Sequence, residues 1–417
     1  MIKHSLIYMV SNILNAIIPF LLLPILTRYL NPTEYGYVAM FELSAIAFGA
    51  LVGFNVHGAA SVKFYEKNSS NHELKCFIGA CMQIVFFSML LVGLVVYCFS
   101  DFFIKITGIS EKWLFLSILC SAFTFIHFVR LGQWQVHRQP IHYGIFQVNK
   151  SILNLLLSLL LVIVFAEGAS GRIDAQLISF GLFAALAIYQ LYKDKLIILF
   201  TWRPDLIKEA LAFGIPLIPH TIGAILLSFA DRFFINAQLG LAQAGIYMAA
   251  FQISMGAILI FDAINKAYTP WLFENLTKNE SQVKKVIVKK TYIFFLSIIC
   301  LMTISAMIAP YLIPIILGQS FQSSSQLVGI LILGQTFGGL YYFVTNYIFY
   351  TKKTKFLAMS TFMSGMINIL LLIIMLPQYG LVGAAYAFLI SKLTHFIVTW
   401  YVANKVLPMP WFTKIKT

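Results

Sequence analysis

Polar side chains form a stripe along one apolar stretch, residues 142–166. Its members are Gln147, Lys150, Ser151, Asn154 and Ser158. Spacings of three and four residues place them on one face of a helix whose other positions are mostly Ile, Leu, Val and Phe. An ammonium group among hydroxyl and amide groups is suited to holding phosphate or an acidic sugar. Two alternatives stay open for Lys150, namely snorkelling and a structural ion pair with Glu42.

Related polar positions recur in three other apolar stretches. They are Asn12 and Asn15 ahead of Pro19 and Pro24, Ser360, Ser364 and Asn368, and Lys392, His395 and Thr399. We predict that Lys150, Asn154, Lys392, His395, Asn368 and Asn15 bind substrate. For the carboxamides, the alternative role is interhelical hydrogen bonding. For Lys392, the alternatives are snorkelling and a structural ion pair.

A second group of residues is predicted to couple or gate movement. Glu42 is a carboxylate within an apolar stretch, where burial favours its protonated form. Pro216 and Pro219 interrupt the hydrogen-bond ladder of their helix, which is expected to kink. Asp231 and Arg232 follow, and either gate the site or form an interfacial helix cap.

The sequence offers no pattern for catalysis, a cofactor or a metal. It has no phosphate-binding glycine loop, no serine–histidine–aspartate arrangement that stands out and no metal-spaced histidines or cysteines. The five cysteines are an odd number, which argues against a disulfide framework. We therefore expect no catalytic residue, no metal and no cofactor, and a protein that is not an enzyme.

The elements that position these residues are membrane-spanning helices. Of the 417 residues, 60% are hydrophobic and 11% charged, with mean hydropathy +0.86. Stretches of about 20 apolar residues cross a bilayer as helices. Twelve such spans are predicted, at 5–27, 35–56, 76–99, 113–134, 142–166, 173–192, 211–236, 243–265, 288–309, 325–349, 355–377 and 380–403.

The net charge of +14 follows the membrane topology. With the N-terminus in the cytoplasm, two of the 29 Lys and Arg residues, Lys150 and Lys392, fall inside spans. Five lie in outer loops or at the outer ends of spans, namely Arg28, Lys105, Lys112, Arg172 and Arg232. All the others lie in the termini, in cytoplasmic loops or at the cytoplasmic ends of spans, which is the positive-inside pattern. We therefore expect the basic side chains to contact membrane lipids and not nucleic acid. Both termini are predicted to be cytoplasmic.

An internal repeat divides the chain. Residues 36–41 (GYVAMF) match 245–251 (GIYMAAF), and 152–155 (ILNL) match 367–370 (INIL). Six spans per half start both halves on the same side, so the repeat is parallel. The predicted fold is an all-α polytopic membrane protein with two parallel six-helix bundles, 1–200 and 201–417, around a central cleft.

Two motifs resemble those of a known family. Residues 28–36, RYLNPTEYG, resemble the R-L-G-P-x-E-Y-G segment after the first helix of bacterial polysaccharide transporters. Residues 213–219, FGIPLIP, with Asp231-Arg232 resemble their seventh-helix signature. Asn31 replaces the usual glycine, and asparagine tolerates the left-handed conformation. With twelve helices in two halves, the chain is similar to the Wzx-type O-antigen and capsule flippases of the multidrug/oligosaccharidyl-lipid/polysaccharide exporter superfamily.

This resemblance implies a function in lipopolysaccharide or capsule assembly. Such flippases move undecaprenyl-diphosphate-linked oligosaccharide from the cytoplasmic to the periplasmic leaflet of the inner membrane, by alternating access and with ion coupling. Polysaccharide polymerase machinery is an expected partner. Two alternatives remain open, a multidrug or cation antiporter of the same superfamily and a membrane enzyme acting on lipid-linked glycans.

Overall fold

A computed structural model describes residues 2–66, 70–278, 280–351, 353 and 355–411, with backbone only at 2–6, 355 and 358. The predicted cytoplasmic ends, Met1 and 412–417, lie outside the described residues. The described residues contain no β-strand, which confirms the all-α prediction. The helices are α1 Ile2–Tyr29, α2 Pro32–Gly49, α3 His57–Lys63, α4 Asn71–Cys98, α5 Ser100–Thr107, α6 Glu111–Val136, α7 Pro140–Leu159, α8 Gly168–Lys193, α9 Pro204–Gly214, α10 Ile218–Leu239, α11 Leu241–Thr277, α12 Ser281–Ile316, α13 Ser325–Tyr350 and α14 Lys355–Val406.

Ten helical segments of the described chain are long and apolar enough to span a membrane. One of them, within α14, is divided at Gly380 (φ 55°, ψ −139°), where two predicted spans meet. The helix α2 has 18 residues, enough by length for a span, although two glutamates make it less apolar. Counting α14 as two helices and adding α2 gives the predicted twelve.

Two predicted boundaries differ from the structure. The span 35–56 ends as a helix at Gly49, because Gly53, Phe54 and Asn55 adopt φ values of 79°, 45° and 58°. Consecutive left-handed residues cannot continue a right-handed helix. The spans predicted to end at 265 and to begin at 288 are both longer in the structure, since α11 extends to Thr277 and α12 begins at Ser281; a helix in the connection between them agrees with the sequence, which allows one there.

The turn between α1 and α2 explains the motif at residues 28–36. The Asn31 side chain accepts a hydrogen bond from the Glu34 amide at 2.9 Å, and the Glu34 carboxylate accepts one from the Asn31 amide at 3.0 Å. Asn31 is thus the N-cap of α2 and has φ −75°, so it does not need the left-handed conformation expected of it. A Cβ at Gly36 would lie 2.1 Å from the Leu241 carbonyl oxygen, so only glycine permits this approach.

The chain forms two compact units. Unit 1 comprises Met1–Ile225 and Gly240–Gly245, and unit 2 comprises Leu226–Leu239 and Ile246–Thr417. Within unit 1, α9 packs against α3 and α4, and a core cluster includes Trp134, Phe146 and Phe183. Within unit 2, α13 packs against α12 and α14 around Phe261 and Phe343.

A cluster of one lysine and three carboxylates joins three helical segments of unit 1. The buried Lys63 ammonium lies 2.9 Å from Glu66, 2.9 Å from Glu73 and 2.7 Å from Glu209. Although burial opposes its charge, the hydrogen bonds that the Lys63 ammonium donates to these carboxylates raise the pKa of Lys63 above its ordinary value. The cluster therefore connects α3 to the start of α4 and to α9.

We expect Lys63→Ala to lower the free energy of unfolding by about 1–2 kcal/mol, because the three half-exposed carboxylates lose their cation. A lysine pKa raised on folding stabilises the protein fully below the unfolded value of about 10.4, and this stabilisation is lost only as pH rises through the folded value. Thermal unfolding in detergent should therefore give the same difference from wild type at about pH 7 and pH 9.

The matched control is Lys208→Ala, which removes an exposed lysine from α9. Equal melting temperatures for wild type and the Lys63 variant, or a difference that disappears before pH 9, would contradict this assignment.

Candidate functional site

The polar stripe of α7 presents a lysine without an acidic partner. The Lys150 ammonium lies 4.2 Å from the centroid of the Phe180 ring on α8. Among the described residues Lys150 forms no ion pair, and Glu42 is paired elsewhere. The alternative in which Glu42 neutralises Lys150 is therefore wrong. A partly buried ammonium over an aromatic face retains its capacity to bind an anion.

The partner of Glu42 is Arg172. The Arg172 guanidinium donates to Glu42 Oε1 at 2.9 Å and to Asn154 Oδ1 at 3.2 Å. The sequence placed Arg172 in an outer loop, whereas it lies in the first turns of α8 with its side chain 9% exposed. Asn154 thus belongs to a charged network that links α2, α7 and α8, and its carbonyl oxygen is occupied.

Asn15 also serves a contact between helices. Its side-chain oxygen accepts a hydrogen bond from the Ser151 hydroxyl, which joins α1 to α7. The stripe of α7 is therefore bordered by α1 at Ser151 and by α8 at Asn154. The three positions predicted in this half, Lys150, Asn154 and Asn15, are brought together within unit 1.

Unit 2 contains the corresponding cation on α14. The Lys392 ammonium lies 5.3 Å from the centroid of the Phe388 ring, and it forms no ion pair with a described residue. One helical turn away, His395 is buried, stacks on Tyr341 with centroids 4.1 Å apart and lies 3.3 Å from the Thr361 hydroxyl. His395 is thus enclosed by protein, while Lys392 is only partly buried.

Asn368 is fully buried in the first half of α14. Neither its amide nitrogen nor its carbonyl oxygen has a hydrogen-bond partner among the described residues. A buried carboxamide that lacks partners costs about 1–3 kcal/mol, so such groups usually contact water, an ion or a ligand. Asn368 is therefore the amide of the predicted set with the most unused hydrogen-bonding capacity.

Asp231 and Arg232 form a fully buried pair inside α10. Arg232 Nη1 lies 2.6 Å from Asp231 Oδ1, and the Tyr247 hydroxyl donates to Asp231 Oδ2 at 2.6 Å. The Arg232 guanidinium also stacks 3.5 Å from the Phe251 ring centroid. The prediction that this pair lies at the outer end of its helix as an interfacial cap is wrong, because α10 continues to Leu239 and both side chains are fully buried.

The prolines Pro216 and Pro219 lie at an interruption of the helix. A 3₁₀ turn at Ile215–Leu217 separates α9 from α10, as expected where proline removes a ladder donor. A Cβ at Gly214 would lie 2.1 Å from the Phe54 carbonyl oxygen. The end of α9, directly before the 3₁₀ turn, therefore packs closely against the non-helical residues that follow α2. This contact lies wholly within unit 1.

Each unit thus holds one lysine at membrane depth that forms no ion pair with a described residue, and Asp231, which acts electrostatically on Lys392, is itself paired with Arg232. The described residues contain no group of three His, Cys, Asp or Glu side chains that could hold a metal ion. What the two lysines can do is bind an anion, because a charge at low dielectric attracts an opposite charge strongly. The sequence analysis did not predict the ion pair between Arg172 and Glu42. An arginine close to an apolar span is the feature that could have indicated it.

Comparison with known proteins identifies the family. A protein family described as "Polysaccharide biosynthesis protein" matches residues 1–276. An uncharacterized membrane protein of Haemophilus influenzae is 27% identical over 374 residues, which cover 88% of each chain. The "Lsg locus putative protein 1" of the same organism is 25% identical over 398 residues, covering 92% of this chain and 94% of the relative.

Solved structures show the fold. A lipid II flippase, MurJ, in an inward closed conformation superposes with TM-score 0.75 and 16% identity, covering 97% of this chain and 88% of the other. An inward-facing multidrug resistance MATE family transporter of the MOP superfamily superposes with TM-score 0.71 and 15% identity, covering 95% and 94%. One neighbour is a flippase and the other a transporter, and the fold of this chain is theirs.

Proposed function

The chain belongs to the polysaccharide biosynthesis protein family, and from this membership we propose that it is a flippase for lipid-linked oligosaccharides. The predicted resemblance to polysaccharide transporters is confirmed by the family match, and the fold is that of a multi-pass transporter. The proposed substrate is an undecaprenyl-diphosphate-linked oligosaccharide, moved from the cytoplasmic to the periplasmic leaflet of the bacterial inner membrane. O-antigen or other lipopolysaccharide assembly is the proposed use.

The observation that carries this proposal is the pair of lysines without carboxylate partners, Lys150 in unit 1 and Lys392 in unit 2. A charge within the bilayer costs at least about 2.5–3.5 kcal/mol, so an unneutralised cation there needs a counterion. A diphosphate headgroup supplies that counterion. Hydroxyl and amide groups such as those of Ser151 and Asn368 would replace the water around the sugar.

The proposed transport cycle is alternating access driven by an ion gradient. Glu42 and Asp231 are the carboxylates we propose for coupling, and each is held by an arginine at 2.9 Å and 2.6 Å respectively. Pro216 and Pro219 are the proposed points of bending. Membrane lipids and a polysaccharide polymerase are the proposed partners, and no catalytic group is assigned.

The proposal is tested by deleting the gene in its source bacterium. Lipid-linked oligosaccharide should accumulate where periplasmic reagents cannot reach it, and surface polysaccharide should be lost until the wild-type gene is restored. Normal surface polysaccharide with increased sensitivity to cationic drugs would support the antiporter instead. Accessible oligosaccharide units that remain unpolymerised would support a membrane enzyme.

A further inference from the structure

A cavity of about 420 Å³ lies at one end of unit 1, and none of the residues of the α7 stripe lines it. It is lined by residues at the end of α6, the start of α7 and the end of α8, including Arg130, Trp134, His142 and Lys193. Its size falls within the range of pockets that hold small molecules, roughly 300–1,000 Å³. The predicted topology places this end at the cytoplasmic headgroup level.

Arg130 is a buried cation in the lining of this cavity. Its side chain is 2% exposed, one guanidinium nitrogen donates to Asp194, and the Trp134 ring centroid lies 4.0 Å from the guanidinium carbon. The other two nitrogens, Nε and Nη1, have no hydrogen-bond partner among the described residues. Since buried donors are nearly always satisfied, the free donors point to a ligand with acceptor oxygens.

The remaining lining favours an anion. Lys193 is exposed at the rim and pairs with no described carboxylate, while Asp194 is the lining's one acidic group and is engaged by Arg130. His142 stacks over the Trp134 ring, with centroids 6.1 Å apart. The cavity also includes Gln139, the N-cap of α7, whose side chain makes no cap bond, and helix N-termini attract anions.

We propose that this cavity, defined by Arg130, Trp134, His142 and Lys193, is a binding site for a phosphate anion. Free guanidinium donors form charge-assisted hydrogen bonds to phosphate oxygens, and Lys193 adds a second cation at the entrance. The phosphate belongs either to an anionic phospholipid headgroup or to a soluble phosphate compound. The site does not depend on the transported substrate, because it involves neither Lys150 nor Lys392.

The test uses full-length protein purified in detergent. Titration with short-chain phosphatidylglycerol in mixed micelles, with phosphatidylcholine as the reference, should raise the melting temperature of the wild type. A parallel titration with inorganic phosphate tests the soluble source. Lys193→Glu and Arg130→Gln should each weaken binding of the effective anion at least about tenfold, the loss expected when one charge-assisted hydrogen bond is removed.

The matched control is Lys195→Glu, an exposed lysine two residues from Lys193 that does not line the cavity. Selective binding of phosphatidylglycerol identifies a lipid site, and binding of inorganic phosphate identifies a soluble ligand. If Arg130→Gln fails to fold, the comparison of Lys193→Glu with the control decides. The proposal is overturned if neither anion binds above the phosphatidylcholine reference, or if the control weakens binding as much as Lys193→Glu.

Discussion

Replacing Lys392 with glutamate is expected to reduce lipid-linked oligosaccharide transport by about 10- to 100-fold. The Lys392 ammonium lies over Phe388 and has no carboxylate partner among the described residues, so the substrate diphosphate is its proposed counterion. A charge-assisted hydrogen bond contributes about 1.5–3 kcal/mol, and about 1.4 kcal/mol corresponds to a factor of ten. The measurement is recovery of surface polysaccharide in the deletion strain, normalised to the amount of protein in the membrane.

Two variants serve as controls for Lys392→Glu. Lys392→Arg keeps the positive charge and should retain most of the transport. Lys405→Glu makes the same change at an exposed position near the end of the same helix and should transport like wild type. If Lys392→Glu restores surface polysaccharide fully, Lys392 does not bind the headgroup.

Replacing Asp231 with alanine is expected to give the largest loss of stability of any single substitution considered, about 3–5 kcal/mol. The substitution leaves the Arg232 guanidinium charged and fully buried in α10. It also removes the acceptor of the Tyr247 hydroxyl. Thermal unfolding in detergent, together with the yield of folded protein, measures the effect.

A double variant separates stability from function at this pair. Asp231→Leu with Arg232→Met removes both charges, and an apolar pair of similar volume should recover most of the lost stability. If the pair couples an ion to transport, the double variant should be folded but inactive. Tyr247→Phe is the milder control, with an expected loss of about 1 kcal/mol for one hydrogen bond. An Asp231→Ala protein as stable as wild type would show that Arg232 is neutralised by another group.

The helices were predictable because their signals are local. A long apolar run specifies a membrane helix, and the breaks at Gly380 and near Pro216 follow from residue types that cannot continue a regular helix. The end of α2 at Gly49 was not predictable in this way. Residues 53–55 leave the right-handed conformation within an apolar run that by itself favours a continuous helix.

Pairing between distant side chains is the part of the site that the sequence does not contain. Glu42 and Arg172 are 130 positions apart, so only the packing of α2 on α8 shows that they meet. Polar periodicity located Lys150, Asn154 and Lys392 on their helices. It could not distinguish Asn154, whose carbonyl oxygen is occupied by Arg172, from Asn368, whose amide is buried without a partner.

The most direct measurement is translocation in proteoliposomes made from the purified full-length protein. A fluorescent undecaprenyl-diphosphate oligosaccharide is placed in both leaflets, and an impermeant reagent that destroys the sugar label reports the accessible fraction over time. The wild type should bring the inner-leaflet pool into reach, whereas a variant with Lys150→Gln and Lys392→Gln should leave it protected. Equal protection with wild-type protein and in protein-free vesicles would contradict the proposed function, and rapid translocation by the double variant would contradict the role of the two lysines.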